Sequence, residues 1–122
     1  MGRTVRFDFD NDLARLRDNQ NEREHFLRSM GEYANRSDSQ LLSDITGTCD
    51  DCRDRDKEAC RLGLSRLAGR SGFNRRKMAK RINRVIAAMD ADPPRRHRRR
   101  SSGFLLRGLV LLFLLRGLSR RR

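Results

Sequence analysis

Tryptophan is absent from this 122-residue chain, tyrosine occurs once, and aromatic residues make up only 6%. With 37% charged and 36% hydrophobic residues, little apolar area is left to offset the entropy of ordering, so a large enzyme core is excluded and one small domain at most is expected. No aromatic residue lies between Phe73 and Phe104, so the basic stretch between them lacks a base-stacking platform. Gly-rich phosphate loops are missing, as are a nucleophile with its base and a pair of carboxylates in an apolar setting. The chain is therefore read as a non-enzyme with no cofactor.

Cysteine and histidine are also scarce. Cys49, Cys52 and Cys60 sit in one stretch expected to face the cytosol, where structural disulfides do not persist. Cys49 and Cys52 have zinc-knuckle spacing, but a closed site needs four ligands, and His25 and His97 are 24 and 37 residues from the nearest of the three cysteines. No metal is assigned, and free, partly buried thiols are expected. Residues 1–20 carry charges every two or three positions with no apolar run, which excludes a signal peptide there and leaves the N-terminal region expected on the cytoplasmic side.

Acidic residues nearly vanish from the second half. Residues 1–60 have a net charge of −4 and residues 61–122 a net charge of +17, with 26 of the 29 basic side chains being arginine. Arginine binds phosphate bidentately and sheds water more readily than lysine, which suits RNA or anionic lipid. A GC-rich genome or an overlapping reading frame gives the same bias.

The apolar spacing predicts a mostly α fold. Residues 12–35 read as one helix capped by Asp10 or Asn11, 37–45 as a short second helix, and 52–68 as a third ended by Gly69. In 74–89, Met78, Ile82, Val85, Ile86 and Met89 share one face of an amphipathic helix, which Asp92-Pro93-Pro94 stops. The expected organisation is a helical region over 1–72, a basic helix over 73–92, a disordered Arg-rich linker over 93–102 and a hydrophobic segment over 103–122.

That last segment repeats Phe-Leu-Leu-Arg-Gly-Leu at 104–109 and 113–118, with Arg107 and Arg116 its only charges up to residue 118. At ~1.5 Å per residue, 103–118 spans ~24 Å, short of a ~30 Å hydrocarbon core. A nine-residue offset puts the two arginines about 180° apart, so no single polar face exists to rest in headgroups. Both could instead snorkel outward from an uncharged centre, as in a short helix crossing a thin bilayer. A tail anchor is the expectation. Flanking arginines resemble those of mitochondrial outer-membrane tails, so that host intracellular membrane is expected first. The alternative is a core helix packed on the Met78–Met89 face.

The basic block Arg75, Arg76, Lys77, Lys80, Arg81, Arg84, Arg95, Arg96, Arg98, Arg99 and Arg100 is the candidate site for RNA or anionic lipid, acting through phosphate and blind to sequence. A second candidate runs from Leu27 through Met30, Gly31 and Glu32. It resembles the BH3 helix of Bcl-2-family apoptosis regulators, which implies Leu27 and Met30 as groove anchors, Gly31 as the close-approach position, Glu32 as the partner of a groove arginine and a Bcl-2-family protein as partner. Arg23 stands where the first apolar anchor belongs, and Ala34 is a small fourth anchor. Small size, arginine bias and tail together are similar in type to the arginine-rich non-structural protein of birnaviruses. These resemblances imply a non-enzymatic, membrane-associated viral accessory protein that modulates host cell death. The alternative is a soluble arginine-rich RNA-binding accessory protein.

Overall fold

In the computed structural model, which describes residues 7–69, 75–91 and 103–119, six α-helices and one 3-10 turn occur among the described residues, and no strand does. The helices are α1 (Phe9–Asp18), α2 (Gln20–Met30), α3 (Asp38–Asp51), α4 (Asp54–Ala68), α5 (Arg75–Asp90) and α6 (Gly103–Ser119). The mostly α expectation is met. The Arg-rich linker lies outside the described residues.

The single helix expected over 12–35 is divided twice. Asn19 leaves the helical region, with φ −117° and ψ 106°, and its side chain accepts the Glu22 N–H at 3.1 Å, capping α2. Arg23 Nη1 donates to the carbonyls of Leu16 and Arg17, both at 3.1 Å, covering the open end of α1. Gly31 then ends α2 at φ +60°, a left-handed conformation that favours glycine, and a 3-10 turn (Gly31–Asn35) follows. Ser37 and Gln40 form a reciprocal capping box that starts α3. Helix periodicity did not reveal these breaks because neither an asparagine nor a glycine on an exposed face alters the apolar pattern.

One core cluster runs through the whole bundle. Phe9, Leu13 and Leu16 of α1, Leu41 and Ile45 of α3, Leu64 and Leu67 of α4, and Ile82 and Val85 of α5 all point inward. Gly63 of α4 lets the Phe7 backbone lie directly against it, where any β-carbon would collide with the Phe7 carbonyl. Thr46 Oγ1 donates to the Ala88 carbonyl at 2.7 Å, and Arg61 pairs with Asp90, joining α3 and α4 to α5.

At the centre stands α6. Seven consecutive residues, Leu109 to Leu115, are buried, so every side of the helix is covered, and α6 packs against α1, α2, α3, α4 and α5. This departs from the tail-anchor expectation. No helix among the described residues is long and apolar enough to cross a membrane, and the apolar surface that suggested one is spent on the bundle. An all-round apolar helix is equally at home in lipid or enclosed by other helices.

Candidate functional site

The repeated Phe-Leu-Leu-Arg-Gly-Leu has a structural meaning that its spacing alone left open. Its two copies face opposite sides of α6, and each docks on a carboxylate from the acidic half of the chain. Arg107 donates from Nη2 to Asp12 Oδ2 at 2.8 Å and from Nε at 3.2 Å. Asp12 is only 5% exposed and also accepts from Arg15 at 3.2 Å. On the far side, Arg116 donates to Asp38 Oδ1 and to the Ala34 carbonyl, both at 3.1 Å. Opposed arginines therefore do not require a membrane, since carboxylates meet them on both flanks.

The glycine in each copy makes room for a crossing side chain. A β-carbon on Gly108 would stand 2.9 Å from the Met30 sulfur, and one on Gly117 would collide with the Arg81 side chain. Arg81 passes over Gly117 to donate to the Phe113 carbonyl from Nε at 3.0 Å and Nη2 at 2.8 Å, and to Asp38 Oδ2 at 3.3 Å. Its guanidinium carbon lies 4.0 Å from the Phe113 ring centroid. Burial pushes the Arg81 pKa below the usual arginine value, with Asp38 opposing that shift. Asp12 and Asp38 were absent from the sequence candidates. The signal that could have found them was the matched Arg-Gly pairs facing opposite ways on one apolar helix.

The basic block is thus divided by role. Arg81 is taken up inside the fold. Lys80 and Arg84 stand one turn apart on α5, exposed, away from buried Met78, Ile82, Val85 and Met89, and neither forms an ion pair among the described residues. The side chains of Arg75, Arg76 and Lys77, in the first turn of α5, lie outside the described residues. So do Arg95, Arg96, Arg98, Arg99 and Arg100. At the end of α6 entered by that segment, Phe104 is 59% exposed, although its repeat counterpart Phe113 is fully buried.

The groove-binding candidates are split by the turn at Gly31. Leu27 and Met30 lie on α2, partly buried against the core, whereas Gly31 and Glu32 open the 3-10 turn and are exposed. No residue of α2 is fully buried. The Leu27–Glu32 stretch is therefore not continuous helix, and its two apolar side chains already pack on this chain's own core.

Cys49, Cys52 and Cys60 are buried and form no disulfide, with Cys60 Sγ 4.0 Å from Met89 Sδ, and no group of metal-binding side chains occurs among the described residues. Burial raises the pKa of all three, that of Cys52 from 9.0 to about 11. Between those two values the unfolded chain releases the Cys52 proton while the folded chain keeps it, so stability falls as pH rises from 9.0 to about 11. A Cys52→Ala variant is expected to show a shallower decline of its urea midpoint over this window; an identical slope would remove Cys52 as a cause. No family model matches this chain, and neither a curated protein nor a solved structure does.

Proposed function

We propose that this is a non-enzymatic accessory protein that docks on an anionic membrane surface through exposed basic side chains and an exposed aromatic. The observation carrying the reading is Phe104, a large apolar side chain 59% exposed at the end of α6 that the Arg95–Arg100 stretch enters. An exposed aromatic four residues after a cationic run in the sequence fits a lipid interface, where the ring enters the headgroup layer and the guanidinium groups meet phosphate. Lys80 and Arg84 add exposed charge that forms no ion pair among the described residues. The net charge of +13 supplies long-range attraction to any anionic surface.

RNA is the competing partner, because the same arginines attract any phosphate. Lipid is favoured since no aromatic residue interleaves with the basic block to stack on bases. Co-sedimentation of the full chain with phosphatidylcholine vesicles, with and without phosphatidylserine, tests the reading against RNA binding at matched salt. Lys80→Glu with Arg84→Glu is expected to weaken binding to the anionic vesicles by at least about thirty-fold, from ~1 kcal/mol per basic residue near such a surface. Equal sedimentation with neutral vesicles, or a clear preference for RNA, would overturn it.

A further inference from the structure

We infer that Arg81, Arg84 and Arg116 form a binding site for a phosphate monoester, at the rim of the bundle where α5 and the last turns of α6 meet the start of α3. The inference deepens the docking reading above, on which its lipid source rests and with which it shares Arg84. Two common partners gather the three arginines. Arg81 Nη2 lies 3.3 Å from Asp38 Oδ2 and Arg116 Nη1 lies 3.1 Å from Asp38 Oδ1, so two guanidinium groups meet on one carboxylate. The guanidinium carbons of Arg81 and Arg84 lie 4.0 and 5.9 Å from the centroid of the same Phe113 ring.

Charge does not balance in this cluster. Asp38 supplies one negative charge against three positive ones, an excess of two. Glu32 and Asp44, the acidic side chains nearest to Asp38 in sequence on either side, pair with Arg36 instead. Burial contributes most to the depressed Arg81 pKa, Asp38 opposes it, and the like charges of Arg84 and Arg116 push it further down. A second anion would relieve that repulsion. A phosphate monoester carries about −1.5 to −2 near neutral pH, which matches the excess, whereas the single charge of a diester leaves part of it uncancelled. Its oxygens suit the guanidinium fork. Donors remain to meet them: Arg81 bonds to Phe113 and Asp38 through Nε and Nη2, which leaves Nη1 outside those bonds, and Arg84 is exposed with no ion pair among the described residues. Asp38 opens α3, whose dipole adds its positive end to the arginines. The side chains of Arg81 and Arg116 are 18% and 28% exposed, so the anion is met at the surface of the closed bundle.

Calorimetric titration of the full chain with inorganic phosphate, in a constant sodium chloride background, tests the site. Saturable binding of one phosphate per chain is expected. Arg84→Gln should weaken it about tenfold or more through the loss of charge-assisted hydrogen bonds, and Lys80→Gln less than about twofold, because that charge stands outside the cluster. Both positions are exposed, so both variants should keep the wild-type urea midpoint. Sedimentation with phosphatidylcholine vesicles containing phosphatidic acid, a monoester, or phosphatidylserine, a diester, at matched surface charge then identifies the source. A preference for phosphatidic acid that Arg84→Gln abolishes assigns the site to a lipid headgroup. Equal sedimentation on the two, alongside saturable phosphate binding, assigns it to a soluble phosphate monoester. Phosphate heats that never saturate, or that fall equally in the two variants, would overturn the site and leave docking intact. Saturable phosphate binding without sedimentation on either anionic vesicle would overturn docking and leave the site.

Discussion

A chain ending at residue 102 is expected to lose its cooperative unfolding transition altogether. That cut removes Leu106 and the run Leu109 to Leu115, eight buried residues that touch every other helix of the bundle. At ~1.5–3 kcal/mol for burying each large aliphatic or aromatic side chain, the loss is as large as or larger than the ~5–15 kcal/mol net stability of an ordinary domain. It would also leave Asp12 with Arg15 alone and Asp38 with Arg81 alone, since Arg107 and Arg116 go with the helix. A detachable anchor would behave otherwise, leaving residues 7–91 folded. Urea titration followed by circular dichroism separates the two cases. A sigmoidal transition in the shortened chain would show that α1 to α5 hold a core of their own.

The second large effect contrasts two phenylalanines in identical local sequence. Phe113→Ala is expected to cost about 4 kcal/mol, the range for removing a fully buried aromatic, because the ring leaves a cavity at the bundle centre and Arg81 loses the face on which it stacks. Phe104→Ala should change stability by less than about 0.5 kcal/mol, since its ring is already largely in water. The order should reverse for membrane docking, where Phe104→Ala weakens binding and leaves the fold intact. Chemical denaturation of the two variants, alongside vesicle sedimentation of Phe104→Ala, measures both halves. Equal destabilisation by the two substitutions would mean that the repeat copies share one environment.

Much of the helical content was legible from spacing. The heptad-like run from Met78 to Met89 and the apolar run from Phe104 to Leu115 specify α5 and α6 almost to the residue, because a face that must be buried writes its period into the sequence. The split of the first helix was not legible. It depends on one asparagine leaving helical geometry and one glycine adopting a positive φ, and neither choice alters the apolar pattern.

Residue order by itself determined that the chain is charge-polarised, mostly α and endowed with one helix apolar around its uncharged centre. Whether that helix is enclosed by lipid or by protein was not decided there, since both surroundings reward the same side chains. Only the tertiary structure placed Asp12 and Asp38 against Arg107 and Arg116, and it did so by bringing together residues 95 and 78 positions apart. Only the tertiary structure, too, withdrew Arg81 from the exposed basic block while leaving Lys80 and Arg84 on its surface. The physical reason is that like residues at neighbouring positions gain their roles from partners distant in the chain, and local periodicity carries no record of those partners.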